Sequence, residues 1–152
     1  MRAGAVIVLT LALPVAGCGG GGGGASKSDF IAKADGICKA STPPNTPTPK
    51  TAADAKKGAQ AQVNYRVPIQ AQLSKLKPPS EVKSDFDKFQ AATQKSIDDF
   101  KQQVDAAAKS QESRYGALNR AIDGLFKQRQ TLATKIGFKW CGQPVTPPKK
   151  KK

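Results

Sequence analysis

The sequence predicts an all-α protein, an up-down bundle of three long helices preceded by one short helix, and three observations carry that expectation. Of the 152 residues, 38% are hydrophobic but only 6% aromatic, a balance that suits helices packed on small side chains better than sheets rich in Val, Ile and Tyr. Apolar residues recur at spacings of three and four through most of residues 80–136. Capping signals and proline or glycine breaks divide the chain into four segments of helical length.

The first element follows Ser26-Lys27-Ser28-Asp29, an S-x-x-D capping box, with Phe30, Ile31, Ala34, Ile37 and Cys38 at i, i+1, i+4, i+7 and i+8. A short amphipathic helix to about Ala40 is expected. Ser41 to Lys50, STPPNTPTPK, holds four prolines and so forms an extended connector of polyproline character. Thr51-Ala52-Ala53-Asp54 repeats the capping pattern, and Tyr65, Ile69, Leu73 and Leu76 mark the apolar stripe of a second helix from about Ala52 to Leu76. Pro68 is expected to kink this helix without ending it, because the stripe keeps its phase on both sides.

Lys77-Pro78-Pro79-Ser80 reads as a stop, a turn and a new N-cap. Val82, Phe86, Phe89, Thr93, Ile97, Phe100, Val104 and Ala107 then carry a third helix to about Ala108. After a polar break at Lys109-Ser110-Gln111, a fourth stripe runs through Tyr115, Leu118, Ile122, Leu125, Arg129, Leu132 and Ile136. Gly137 supplies the left-handed cap, with Phe138 available for the hydrophobic contact that accompanies it. The shared heptad-like spacing is a packing requirement of a bundle and not a sign of duplication.

Ahead of the domain, Met1-Arg2 and the apolar run Ala3 to Ala12 form a signal peptide, since the run falls short of the roughly 20 residues that span a bilayer. The stretch that follows, Val15-Ala16-Gly17-Cys18, resembles the lipobox of bacterial lipoproteins. That resemblance implies a diacylglycerol thioether on Cys18 and cleavage between Gly17 and Cys18, leaving a mature chain of about 135 residues anchored on the extracytoplasmic face of the cell membrane. The chain divides accordingly into a signal peptide (1–17), the lipidated cysteine with its Gly-rich tether (18–26), the helical bundle domain (27–142) and a Pro/Lys-rich tail (143–152). The glycines from Gly19 to Gly24 have no helix or strand preference, and a coil from there to Ser26 reaches roughly 15 Å.

With Cys18 assigned to lipid, Cys38 and Cys141 remain as an even pair in an oxidising compartment, and a disulfide between them is expected to close the bundle. The alternative is two separately buried thiols. Taken together, the lipobox, the early FIAKADGIC, the Pro-linked helices and the terminal KIGFKWCG resemble a group of small all-α lipoproteins of Gram-positive actinobacteria. The resemblance implies a surface-exposed helical domain with its two cysteines joined, and it implies no activity.

Formal net charge is +14, from 25 Lys+Arg against 11 Asp+Glu. A basic chain attracts polyanions, but an exported protein meets anionic lipid and wall polymers first, so no nucleic-acid partner is expected. The chain has no histidine, which removes imidazole as a general base or metal ligand, and no Gly-rich phosphate loop, Cys/His metal cluster or serine nucleophile motif is recognisable. The expectation is therefore a non-enzyme without cofactor or metal: a lipid-anchored cell-envelope protein, a binding or structural module for an unidentified protein or anionic surface. The alternative is a carrier of a small apolar ligand, in a bundle loosened by Ala91, Ala92 and Ala106 to Ala108; an internal cavity of roughly 300 Å³ or more favours the carrier.

Few side chains stand out as candidates. Lys149, Lys150, Lys151 and Lys152 are expected to bind an anionic surface, because a connector of about 3.1 Å per residue can run the bundle's length and return both chain ends to one membrane-facing pole. Arg129 has two readings, an anion-binding group or a stem covering apolar surface while its guanidinium reaches water or an Asp; the second is expected. Adjacent Asp98 and Asp99 point about 100° apart on a helix, so one faces solvent and they are not an acid–base pair. Trp140 is expected to pack against the disulfide in preference to stacking on a ligand. Asp105 with Lys109 and Asp123 with Lys127 are spaced for ion pairs on solvated faces.

Overall fold

A computed structural model describes residues 26–143, so Gly17, Cys18, the glycine tether and Lys149 to Lys152, with the roles expected of them, lie outside the described residues. The described residues form four helices: α1 (Lys27–Lys39), α2 (Ala52–Leu73), α3 (Ser80–Ala108) and α4 (Glu112–Ile136). None of them is long and apolar enough to cross a membrane. The long helices alternate direction through short connections, as the all-α up-down bundle requires, and α3 is the central one, with α2 and α4 packed along it.

Local chemistry fixes most of the boundaries. At α1 the hydroxyl of Ser26 accepts the Asp29 N–H at 3.2 Å. At α2 the capping box is complete: Thr51 Oγ1 accepts the Asp54 N–H and Asp54 Oδ2 accepts the Thr51 N–H, both at 3.1 Å. Helix α4 ends on Gly137 at φ 101°, with the N–H groups of Gly137 and Phe138 both donating to the Ala133 carbonyl. An L side chain is disfavoured at that dihedral, and glycine carries the turn that sends Phe138 back into the core.

Two boundaries differ from expectation. Helix α2 stops at Leu73, where Lys75 and Leu76 donate to carbonyls three residues back in a tightened turn; Lys77, preceding Pro78, is barred from helical geometry, so the chain leaves the helix early. Pro79, with φ −65° and ψ 155°, occupies the N-cap of α3, and Ser80 is the first helical residue without a capping hydrogen bond. Pro68 lies inside α2, as expected.

The core has two parts. At the pole where α2 and α4 end and α3 begins, Phe30 meets Phe86 edge-on at 4.9 Å between ring centres, and Phe138 stands 5.6–6.3 Å from Phe30, Phe86 and Phe89. Edge-to-face pairs of this kind add about 0.5–1.5 kcal/mol each beyond burial. Ala59, Val63, Phe100 and Ile122 make a second cluster farther along the bundle. Cys38 and Cys141 are disulfide-bonded with their Cα atoms 5.3 Å apart, and this bridge joins the end of α1 to the segment after α4 at the first pole.

Some surface details correct the sequence reading. Among the described residues the ion pairs are Lys83–Asp87, Lys95–Asp99 and Lys101–Asp98, not Asp105–Lys109 or Asp123–Lys127. Lys109 has already left helical geometry at the C-cap; nothing in the structure explains why Asp123 and Lys127 stay apart. Asp98 is half exposed while Asp99 is buried against Lys95, so the two carboxylates diverge as expected.

Candidate functional site

The stripe expected on α2 is rotated. Ala55, Ala59, Val63 and Arg66 are the residues it buries besides Leu73, whereas Tyr65 and Ile69 are only half-buried. The small side chains of Ala55 and Ala59 carry the close packing, and the Tyr65–Ile69 edge is left facing a cleft between α2 and α4. Residues Thr42 to Thr46 of the Pro-rich connector roof this cleft, Thr93 of α3 forms part of its floor, and its volume is about 910 Å³. Gln62 ties the roof to α2 by donating to Thr46 Oγ1 at 3.4 Å.

Two arginines line the cleft from opposite walls, Arg66 on α2 and Arg129 on α4. Arg66 is 7% exposed. Its Nε donates to Gln62 Oε1 at 3.2 Å, and its guanidinium carbon stands 4.6 Å from the ring centre of Phe126 and 5.3 Å from that of Phe100. Arg129 Nε donates to Thr93 Oγ1 at 2.9 Å, while Thr93 donates onward to the Phe89 carbonyl at 2.7 Å. The Arg129 guanidinium lies 5.2 Å from the Phe89 ring centre and 5.9 Å from that of Phe126, so both cations share one aromatic neighbour.

Neither arginine has a carboxylate within ion-pairing distance among the described residues, and each donates to protein through Nε while its terminal nitrogens hold no protein acceptor. Burial pushes Arg66 down to about 9, with the Arg129 charge acting in the same direction. Burial likewise brings Arg129 down to about 10. Both remain cationic at neutral pH, held by rings and neutral acceptors that offset only part of their lost hydration.

The expectation for Arg129 holds in part: its side chain is half-buried over the rings of Phe89 and Phe126, but its Nε meets a buried threonine where an Asp was expected. Trp140 is corrected as well: it is 54% exposed at the cleft's end, with Lys39 Nζ 5.1 Å from its ring centre. The aromatic that seals the core beside the disulfide is Phe138, because the glycine turn rotates it inward. The alanines expected to leave room do not line the cavity; Ala92, Ala106 and Ala107 are buried in helix packing, and Ala91 and Ala108 are exposed.

Two further residues at the site, Arg66 and Asp35, carry only weak signals in the sequence. Arg66 lies three residues from both Val63 and Ile69, and a second arginine on a stripe was the signal available. Asp35, 8% exposed, accepts the backbone N–H groups of Lys139, Trp140 and Cys141 at 2.8, 2.9 and 3.1 Å. A charged residue one turn before a half-cystine on a short helix was the corresponding hint.

No group of three His, Cys, Asp or Glu side chains among the described residues is placed to hold a metal ion. The chain matches no protein-family model, no curated protein and no solved structure.

Proposed function

We propose that this chain is a lipid-anchored protein of the cell envelope whose helical domain is a non-catalytic binding module, holding a small ligand in the cleft between α2 and α4. The observation that carries the reading is the cleft, about 910 Å³ between two helices and under a proline-stiffened roof. That volume falls in the range of small-molecule sites, well above the roughly 300 Å³ at which a carrier becomes plausible on size. Its walls are set by long helices packed on a common partner, so the space is preformed and binding need not reorganise the bundle. The acid, base and nucleophile groupings that catalysis uses do not converge on it; the cleft offers cations, neutral amides and aromatic faces.

Anchoring rests on Val15-Ala16-Gly17-Cys18 after an apolar run too short to span a bilayer. A diacylglycerol on Cys18 is the main attachment to the membrane. Lys149 to Lys152 add attraction to anionic lipid or wall polymer, about 1 kcal/mol per lysine near the surface.

Two measurements test this. Replacement of Cys18→Ser is expected to leave unprocessed precursor or shed protein; a variant still processed after Gly17 and still membrane-bound overturns the anchor. For the cleft, the mature chain with Cys18→Ser is titrated with the uncharged fluorophore N-phenyl-1-naphthylamine. Saturable uptake at one molecule per chain supports a preformed apolar site, and no uptake of this or any charged analogue overturns it.

A further inference from the structure

We propose that the ligand of this cleft is an organic anion, with one carboxylate, sulfonate or phosphate held between Arg66 and Arg129 and an apolar body laid along Phe126 and Ile69 under the connector. The inference rests on the binding-module reading and adds the chemistry of the ligand. Four observations converge on it.

First, Arg66 is more than nine-tenths buried and lines the cavity without an acidic partner among the described residues. Leaving a buried cation unpaired costs stability, and a fold under no constraint to bind an anion fills that position with an apolar side chain. Second, Arg129 approaches from the facing helix and is equally unpaired, so two positive charges converge on one hollow against their mutual repulsion. Third, the scaffold orients both side chains through Nε: Gln62 fixes Arg66, and the Thr93–Phe89 relay fixes Arg129. The terminal nitrogens, which grip carboxylates and phosphates bidentately, have no protein acceptor among the described residues. Fourth, the surroundings of these cations are Phe126, Phe89, Tyr65 and Ile69. These faces suit an apolar body beside the charge, with the amides and hydroxyls of Gln62, Gln130 and the connector left to its polar edge.

The acyl chain of a lipid-derived acid and the ring of a soluble aromatic acid share this chemistry, and competition separates them. The mature Cys18→Ser chain is titrated with 1-anilinonaphthalene-8-sulfonate and, in parallel, with N-phenyl-1-naphthylamine, which lacks the sulfonate. At near-physiological salt the sulfonate is expected to bind at least 10-fold more tightly, with displacement by laurate or by 2-naphthoate identifying the source class. Dodecanol should displace it far less well than laurate. Charge-assisted hydrogen bonds of this kind are each worth about 10- to 100-fold in affinity. Arg66→Met and Arg129→Met should therefore each lower sulfonate affinity by about that factor, and by at least 10-fold more than they change N-phenyl-1-naphthylamine binding, and Arg66→Lys should fall between.

Equal affinity for the two fluorophores, or sulfonate binding indifferent to both arginine variants, overturns the inference and leaves the cleft reading standing. Binding of neither fluorophore brings down the cleft reading itself. Displacement by inorganic phosphate as effective as by laurate removes the apolar body from the proposal. Circular dichroism of each variant confirms that a lost signal is not a lost fold; should Arg66→Met fail to fold, the Arg129→Met and Arg66→Lys titrations decide.

Discussion

Cys141 is held to Asp35 as well as to Cys38: its backbone N–H donates to Asp35 Oδ1 at 3.1 Å, one helical turn before the half-cystine to which its sulfur is bonded. The same carboxylate takes the N–H groups of Lys139 and Trp140. Three consecutive backbone donors beyond the end of α4 thus find their acceptor on α1, where no helix or strand would supply one. Covalent and hydrogen-bonded fastenings act on one segment, and together they fix Gly142, Trp140 and Cys38 at the cleft's end.

Asp35→Ala is expected to destabilise the domain by about 3 kcal/mol, because it strands three donors that shared one charged acceptor. Asp35→Asn keeps one acceptor oxygen and turns an amide toward donors, so about half that loss is expected. Urea denaturation of the oxidised proteins measures both. A loss below about 0.5 kcal/mol for the alanine variant would show that water replaces the carboxylate freely.

Reduction of Cys38–Cys141 releases a loop spanning 103 residues of sequence separation, for which chain-entropy models give about 4–5 kcal/mol. Since Asp35 restrains the same segment, the two losses should not add: Asp35→Ala in a Cys38→Ser/Cys141→Ser background should cost clearly less than in the oxidised protein. Strict additivity in that double-mutant cycle counts against a shared segment.

Fold legibility followed the strength of local signals. The capping residues Ser26 and Thr51, the Gly137 turn and the unbroken α3 stripe each satisfy local backbone or packing demands, and they appear where the sequence places them. Pairing of Cys38 with Cys141 was expected from the even count that remains once Cys18 is set aside, and the two are bonded. The cleft was not legible in the same way, because it arises from how α2 is rotated on α3, a choice made by Ala55, Ala59 and Val63 against a competing Tyr65–Ile69 stripe. Periodicity reports that a face is apolar without saying which of two neighbouring faces meets the partner. Nor could spacing alone bring Arg66 and Arg129 together, since they lie on helices separated in sequence by the whole of α3. Trp140 was misplaced for a related reason: after the left-handed turn at Gly137 it is Phe138, two residues earlier, that is directed into the core.

Gly142 is expected to tolerate no side chain. It adopts φ 75°, and a Cβ there would stand 2.8 Å from Ala133 Cβ, 3.1 Å from the Arg129 carbonyl oxygen and 3.2 Å from Phe89 Cε2. Strain and overpacking together predict a loss of about 3 kcal/mol for Gly142→Ala. Thermal unfolding measures it, and because Arg129 and Phe89 are the atoms displaced, sulfonate binding should weaken as well. A variant with unchanged melting temperature refutes the close packing described for this turn.

Arg66→Met is expected to stabilise the ligand-free domain by about 1 kcal/mol or more while weakening anion binding, the opposite signs that separate a binding residue from a structural one. Removing the guanidinium deletes a charge that burial disfavours, and methionine keeps much of the stem's contact with Phe100 and Phe126. The pH dependence of the difference follows from linkage. Arg66 in the native state sits at about 9, below the ordinary range of arginine in the unfolded chain. Below about pH 9 both states carry the proton and the penalty for burying the charge is complete. As pH rises past 9 the native state releases its proton first, the unfolded state binds more protons, and native stability rises relative to the variant. Arg129, brought to about 10 by burial and present in both proteins, contributes alike to each. Tyr115, raised by burial, works in the opposite direction only above the ordinary tyrosine range. The stability advantage of Arg66→Met, read from urea midpoints between pH 7 and 10, should therefore be constant to about pH 8 and shrink toward pH 10; an advantage that grows across that range, or a variant less stable at pH 7, contradicts an unpaired buried cation at this position.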